Sequence, residues 1–307
     1  MAVYTPINKI ELQDWLKNFS IGVLKNFKGI SSGVTNTNFL VETENDKFIL
    51  TIFEHNKMEE LPFYFDLMGF LASKKFLCPL PITNKNNVNQ TPIKGKPAVL
   101  VSFLLGAAKE NITGNDCYSV GTALAKFHIS AIDFTGKRKN NRNIDWIIGK
   151  FNELKKNLPI FDQRIIELEI DYQKHCVTDG LPVGIIHGDL FRDNVFFHQN
   201  KLSAFIDFYY ACNDHLLVDL AIVINDWCSN SDGGIEKEKF NLFLDGYQSI
   251  RKLESLEFEC LQNSLRLSAL RFWVSRLDAY HNVVEGESVL IKDPDHFKKV
   301  LLDRQGA

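Results

Sequence analysis

The sequence predicts an α+β protein with two lobes, a small β-rich lobe over residues 1–103 and a larger, mainly helical lobe over residues 104–307. Three observations support this prediction. Short apolar runs separated by turn residues occupy residues 22–53, which is typical of strands. From Asn115 onward, apolar residues recur at the spacing of amphipathic helices. A chain of 307 residues is also long enough to build two hydrophobic cores.

The small lobe begins with a capped amphipathic helix and continues into strands. The turn residues Glu44-Asn45-Asp46 join two of these strands in a hairpin. A second helix and a polar hairpin follow, and a buried strand then leads into the large lobe. In chain order, helices are predicted at 8–19 and 61–73, strands at 22–29, 38–42, 47–53 and 97–104, and the polar hairpin at 84–96.

Helices dominate the large lobe, and short strands interrupt them only around one polar segment. Helices are predicted at 116–129, from there to Tyr172, and at 216–280, and short strands at 184–186, 195–197 and 202–207. The cleft between two lobes of this kind is a common place for a ligand.

Composition and charge exclude several classes of protein. The formal net charge of −3 gives no support to nucleic-acid binding, which usually shows as a basic surface. The amino terminus has no apolar signal core, and the longest apolar stretch, residues 97–108, is too short to span a bilayer. Six scattered cysteines without a C-x-x-C pair predict reduced thiols. We therefore expect a soluble, cytoplasmic protein that binds neither nucleic acid nor membranes, and its oligomeric state stays open.

A polar segment between two apolar stretches carries the main chemical signal. The segment reads GIIHGDLFRDNVFF over residues 184–197, and Asp189 precedes Asn194 by five positions. Thirteen residues after Asn194, Asp207 closes another apolar strand. Asn and Asp oxygens suit Mg²⁺ bound to nucleotide phosphates, and a neighbouring carboxylate can accept the proton of an attacking hydroxyl. This combination is typical of kinase phosphoryl transfer. The alternative is a polar hairpin whose Asp and Asn side chains cap turns.

These two motifs resemble the aminoglycoside phosphotransferase and choline kinase superfamily, which has a protein-kinase-like fold and acts on small molecules. The similarity is closer still to the bacterial homoserine kinases of that fold. It extends over nearly the whole chain, in the segments GVTNTNF (33–39), FILTIFE (48–54), LPFYFDLMGFLA (61–72), CPLPI (78–82), HGDLFRDNVFF (187–197), IDFYYACND (206–214) and ALRFWVSRLDAY (269–280). The resemblance implies ATP and Mg²⁺ as cofactors and L-homoserine as the substrate, phosphorylated on its hydroxyl in threonine biosynthesis.

The resemblance also implies roles for individual residues. Asp189 resembles the catalytic base, and His187 resembles the residue that braces the catalytic loop. Asn194 and Asp207 resemble the metal ligands. Asp219 matches the aspartate that supports the loop from a helix. Two nearby residues are expected to be structural: Asp193 as a turn residue and His128 as a packed or surface histidine on the helix that follows the fourth strand.

The small lobe is expected to bind the nucleotide. The loop Ser31-Ser32-Gly33-Val34-Thr35-Asn36 can offer backbone N–H groups and hydroxyls to phosphate, although a plain hairpin is equally compatible. Thr51 stands where most kinases carry a lysine, so metal and loop amides are expected to neutralise more of the phosphate charge. Backbone groups near Ser102 and Phe103 are expected to meet the adenine edge.

The substrate pocket must match both charges of a zwitterion. Arginine is the usual bidentate partner of a carboxylate, and Arg271 or Arg276 is the candidate for this contact. Asp226 is the candidate for the ammonium group, and Asp189 meets the reacting hydroxyl. A solvated surface position is the alternative for each arginine.

Two other functions stay open from the residues alone. One is a kinase of the same superfamily that acts on an aminoglycoside, choline or a sugar. The other is a catalytically silent nucleotide-binding or scaffold protein, which the missing lysine favours and the intact Asp189, Asn194 and Asp207 disfavour.

Overall fold

The computed structural model describes residues 5–30, 36–282 and 292–306. These residues form two compact units, and the chain passes from the first to the second between Leu105 and Gly106. The first unit is built on an antiparallel sheet, and the second is mainly helical. The predicted α+β class is therefore confirmed.

The first unit contains a four-stranded antiparallel sheet in the order β1-β2-β3-β4. One face of the sheet carries the buried apolar residues of every strand, including Val41 and Leu50, and Leu12 and Trp15 from the first helix join the same core. In β2 and β3, buried apolar residues at alternate positions form this face. The elements are α1 (Lys9–Leu16), β1 (Leu24–Gly29), β2 (Thr37–Thr43), β3 (Lys47–Ile52), α2 (Pro62–Ser73) and β4 (Ala98–Ser102).

The first helix begins where the sequence predicts and ends earlier. The Asn8 side chain accepts the N–H of Glu11 at 2.9 Å, and the Glu11 carboxylate accepts the N–H of Asn8 at 2.8 Å, which completes a capping box. The helix ends at Leu16, because the next residues turn and the Asn18 side chain donates to the carbonyl of Trp15 at 2.8 Å.

Helices surround the core of the second unit. Trp273 and Phe297 lie at its centre and are fully buried with residues of the neighbouring helices. The helices are α3 (Gly114–Ser130), α4 (Ile144–Leu154), α5 (Ile160–Lys174), α6 (Leu216–Trp227), α7 (Lys237–Gln248), α8 (Ser255–His281) and α9 (Asp295–Gln305). Within the described ranges, no helix is both long enough and apolar enough to cross a bilayer. All six cysteines are free thiols, as expected.

The strands of the second unit form two separate antiparallel pairs. They are β5 (Val183–Ile186), β6 (Val195–His198), β7 (Lys201–Phe205) and β8 (Cys212–His215). The strands on either side of the polar segment do not pair with each other: β5 pairs with β8, and β6 pairs with β7. The sequence does not predict β8, because Asn213, Asp214 and His215 show no apolar alternation. Two separate ribbons therefore hold the two ends of the polar segment.

Candidate active site

The polar segment forms a loop between β5 and β6 that we call the catalytic loop (residues 187–194). A short 3₁₀ turn, Arg192–Asn194, ends the loop. The Asn194 side-chain amide donates to the carbonyl oxygen of Asp189 at 2.7 Å and to its carboxylate at 3.1 Å. These two hydrogen bonds join the end of the loop to Asp189. The Oδ1 of Asn194 makes no hydrogen bond within the described part of the chain.

Asp207 reaches the same place from the end of β7. The N–H of Ile206 donates to the carbonyl of Asn194 at 3.0 Å, which fixes the strand end beside the catalytic loop. Asp207 has left-handed backbone angles (φ 62°, ψ 60°), an uncommon conformation for a residue other than glycine and one that concentrates at functional sites. Its side chain is exposed. The structure therefore brings Asp189, Asn194 and Asp207 together, as the sequence predicts.

The electrostatic environment of Asp189 favours its protonated form when no cation is bound. Burial raises its pKa to about 8, and the negative charge of Asp207 acts in the same direction. The positive charge of Arg271 opposes this shift. Two carboxylates placed this close together form a natural position for a cation.

His187 braces the catalytic loop from inside. Its ring is buried, and its Nε2 lies 2.9 Å from the carbonyl of Ile206, while its Nδ1 accepts the N–H of Asp189 at 3.3 Å. These two contacts require a neutral ring with the proton on Nε2. Burial lowers the pKa of His187, which keeps the ring neutral.

Asp219 on α6 holds the backbone of the loop. Its buried carboxylate accepts the N–H of His187 at 2.6 Å and the N–H of Gly188 at 2.8 Å. Gly188 has φ 76°, and a Cβ there would lie 2.8 Å from the carbonyl oxygen of Tyr210. Only glycine fits this position without strain.

His128 on α3 supports Asp219 in turn. The histidine is buried, its Nε2 lies 3.2 Å from the Asp219 carboxylate, and its Nδ1 lies 2.8 Å from the hydroxyl of Tyr247. Burial acts to raise the pKa of Asp219, but the hydrogen bond and charge of His128 help to lower it below its ordinary value. The sequence predicts a packed or surface histidine at His128 and does not reveal this contact, because its partners come from helices distant in sequence.

The two candidate arginines on α8 have different environments. The Arg271 guanidinium is buried and has no hydrogen-bond acceptor within the described ranges. Arg276, in contrast, donates to the carbonyl of Asp293 at 2.9 Å and lies over the ring of Phe297 at 4.5 Å. Arg276 thus connects α8 to the segment before α9. The guanidinium N–H groups of Arg271, in contrast, have no acceptor within the described ranges.

Two carboxylates near the loop already have protein partners. The Asp226 carboxylate accepts the N–H of Arg192 at 2.8 Å, and its backbone carbonyl accepts the Arg192 guanidinium. Asp226 therefore caps the turn that ends the catalytic loop. Asp193 is exposed in the same turn and pairs with Lys292 at 2.7 Å.

The residues predicted to bind the nucleotide lie in the first unit. Ser31, Ser32, Gly33, Val34 and Thr35 fall outside the described residues. Asn36 accepts the N–H of Glu54 at 3.4 Å, just before β2 begins. The backbone N–H groups of Ser102 and Phe103 donate to the carbonyls of Leu80 (2.9 Å) and Lys47 (3.3 Å), so the contact with an adenine edge would depend on other backbone groups of this segment.

Thr51 lies on β3, at the position where most kinases carry a lysine. It is buried, and its hydroxyl donates to the side chain of Asn38 on the neighbouring strand at 2.8 Å. The first unit contains several lysine–carboxylate pairs, and the one with a buried carboxylate joins Lys96 to Glu54. The Glu54 carboxylate also accepts the hydroxyls of Thr5 (3.0 Å) and Thr37 (2.6 Å), an anchor that the sequence analysis did not identify.

We expect Thr51→Val to lower kcat/KM for ATP less than about tenfold. The substitution keeps the shape and removes one neutral hydrogen bond, which is worth about 1 kcal/mol. Steady-state kinetics over a range of ATP concentrations would measure the effect, with the exposed substitution Lys25→Met on β1 as the control. A loss of more than about 100-fold would mean that the Thr51 hydroxyl itself binds the nucleotide or orders its site.

Comparison with known proteins agrees with this geometry. Residues 26–253 match the phosphotransferase enzyme family. A solved amicoumacin kinase in complex with AMP-PNP and Ca²⁺ has the same fold, with a TM-score of 0.74 at 14% identity over 97% of this chain and 94% of that one. The fold and the site define a small-molecule phosphotransferase, and the chain belongs to the phosphotransferase enzyme family.

Curated relatives specify the group within that family. The homoserine kinase of Methylobacillus flagellatus is 39% identical over 301 residues, which cover 98% of this chain and 94% of the relative. The homoserine kinase of Agrobacterium fabrum is 40% identical over 313 residues, which cover 99% and 96%. Within the phosphotransferase enzyme family, the chain therefore belongs with the homoserine kinases.

Proposed function

We propose that this protein transfers the γ-phosphate of ATP to the hydroxyl of L-homoserine and so makes O-phospho-L-homoserine for threonine biosynthesis. The observation that carries the proposal is the convergence of Asp189, Asn194 and Asp207 in a chain related over its length to homoserine kinases. Phosphoryl transfer needs little covalent chemistry from a protein, so positioning and charge stabilisation are what the site must supply.

Asp189 acts on the reacting hydroxyl. Its carboxylate accepts the hydroxyl hydrogen, which aims an oxygen lone pair at the γ-phosphorus and gives the proton an acceptor as the new bond forms. The amide of Asn194 holds the carboxylate in place at 3.1 Å. Asp219 and His187 fix the loop that carries it, which keeps the hydroxyl and the phosphate in line.

Asn194 and Asp207 fit a Mg²⁺ ion. Asn194 has an amide oxygen without a hydrogen bond in the described ranges, and Asp207 has an exposed carboxylate. No group of three or more His, Cys, Asp or Glu side chains in the described ranges is placed to hold a metal ion. Magnesium needs few protein ligands, because water and phosphate oxygens complete its shell. When bound, the ion neutralises charge on the nucleotide phosphates.

The surroundings of Arg271 support an amino-acid substrate. A buried guanidinium without a protein acceptor is costly unless a ligand supplies an anion, and a carboxylate matches its planar donors. We assign the carboxylate contact to Arg271 and leave Arg276 to its contact with Asp293. Asp226 remains the candidate for the ammonium group. One of its carboxylate oxygens already accepts the N–H of Arg192, so the ammonium would share this carboxylate.

An assay of ADP release across several acceptors tests the function. We expect turnover with L-homoserine and at least about 100-fold lower kcat/KM with choline, kanamycin and simple sugars, because charged groups built for a zwitterion would be left unpaired. Heat-denatured protein serves as the blank. Turnover with kanamycin or choline and none with L-homoserine would place the chain with another small-alcohol kinase.

A further inference from the structure

A second arginine near the catalytic loop also has no hydrogen-bonding or ionic partner among the described residues. Arg142 lies just before α4, and its guanidinium makes no hydrogen bond or ion pair within the described part of the chain. Its guanidinium carbon lies 4.3 Å from the ring centroid of Trp146 and 5.9 Å from that of Tyr210. It lies in the polar segment KRKNNRNID, which carries no recognisable site motif.

Tyr210 places Arg142 next to the reacting groups. The tyrosine follows Asp207 in a 3₁₀ turn, and its carbonyl oxygen packs against Gly188 of the catalytic loop. Its side chain is close enough to Asp189 and Arg142 for their charges to act on its hydroxyl, in opposite directions. Arg142 and Asp189 therefore both lie near Tyr210.

Arg142 and Arg271 approach this region from separate elements, the α4 entry and α8. Burial lowers the pKa of Arg271, the charge of Asp189 opposes this shift, and the positive charge of Arg142 adds to it. The two guanidiniums thus repel each other, and neither has an anion within the described part of the chain that forms a hydrogen bond with it. A negative group that enters this region would offset the repulsion between them.

We propose that Arg142 and Arg271 together form the subsite for the α-carboxylate of the substrate, with Tyr210 as its wall. This inference rests on the proposed function and deepens it, because it names what separates an amino-acid substrate from a simple amino alcohol. In L-homoserine the carboxylate and the hydroxyl lie at opposite ends of a short chain. Two guanidiniums on the carboxylate then hold the hydroxyl toward Asp189. Arg142 is a specificity-determining residue in this arrangement.

The test compares L-homoserine with 3-aminopropan-1-ol, which lacks only the carboxylate. In Arg142→Met and Arg271→Met, we expect kcat/KM for L-homoserine to fall roughly 10- to 100-fold, the range for a hydrogen bond to a charged group. For 3-aminopropan-1-ol, kcat/KM of Arg142→Met should change less than about threefold, because that substrate never uses the subsite. The preference for L-homoserine should therefore collapse, which a purely structural role would not cause.

Two controls accompany the variants. Arg164→Met removes an exposed arginine from α5 and should leave the preference unchanged. The melting temperature of Arg271→Met should not fall below that of the wild type, because the variant removes a buried charge for which the described residues supply no hydrogen-bond acceptor.

The outcomes separate this inference from the proposed function. If the wild type prefers L-homoserine and Arg142→Met keeps that preference, the subsite is wrong and the function stands. If Arg142→Met loses activity equally toward both substrates, the carboxylate assignment is likewise overturned. A wild type that phosphorylates 3-aminopropan-1-ol and not L-homoserine would overturn both.

Discussion

Asp189→Asn is expected to lower turnover with L-homoserine by roughly 10²–10⁴-fold. The variant keeps the shape of the side chain and removes the carboxylate that accepts the hydroxyl proton. Nucleotide affinity should stay largely unchanged, since Asp189 acts on the acceptor. Single-turnover kinetics measure the chemical step, and a fluorescent ATP analogue measures nucleotide binding. Near-normal turnover would contradict the assignment of the catalytic loop.

The stability of the same variant shows that its loss of turnover does not come from unfolding. In the folded, metal-free protein the pKa of Asp189 is raised from 3.8 to about 8, so the folded state holds this proton more tightly than the unfolded state does. The stability contributed by the protonated group is complete below pH 4 and is lost as the pH rises toward 8. Asparagine has no proton to lose over this pH range, so the variant does not undergo this loss of stability. In chelator, Asp189→Asn should therefore melt at a higher temperature than the wild type at pH 8 and at about the same temperature at pH 4.

Loss of either proposed metal ligand is the second large effect. Asn194→Ala and Asp207→Ala should each lower activity by roughly 10²-fold or more, or raise the Mg²⁺ concentration needed, because a bound ion supplies several kcal/mol of charge stabilisation. Titration of Mg²⁺ at a fixed ATP concentration distinguishes a lower maximal activity from a higher Mg²⁺ requirement. The Asp207 variant should show the stronger Mg²⁺ dependence, since it loses a charged ligand.

Asp193→Ala is the matched control for these two variants. Asp193 lies in the same turn as Asn194, but it is exposed and pairs with Lys292 at 2.7 Å. An exposed ion pair contributes at most about 1 kcal/mol, so activity should change less than about fivefold. If Asp193→Ala were as severe as Asp207→Ala, the ligand assignment would be wrong.

The fold class follows from local patterns, whereas strand pairing does not. Apolar runs in β2 and β3 and helical spacing in α3 are properties of short segments, and each predicted helix and strand has a counterpart, whereas the 84–96 hairpin forms only isolated bridges. The pairing of β5 with β8 is different, because β8 is formed by polar residues such as Asn213 and Asp214. Backbone pairing with β5 defines that strand, with Ile185 opposite Asn213 and Gly184 opposite Asp214, and no side-chain pattern signals it.

Part of the candidate site could likewise be predicted from local sequence, and part of it could not. Asp189 and Asn194 are close in sequence, and Asp207 closes the next ribbon, so their convergence could be predicted from spacing. Arg271 and Arg276 lie on one helix, and the sequence could not separate them. Their difference depends on partners from elsewhere in the chain, Asp293 for one and none in the described ranges for the other.

The identity of the product tests the central claim most directly. Purified protein, ATP, Mg²⁺ and L-homoserine would be incubated and followed by ³¹P nuclear magnetic resonance. We predict a new phosphate monoester signal coupled to the methylene protons that bear the hydroxyl of homoserine, together with one ADP for each ester formed. Release of inorganic phosphate without any ester, or no reaction with L-homoserine at all, would contradict the account.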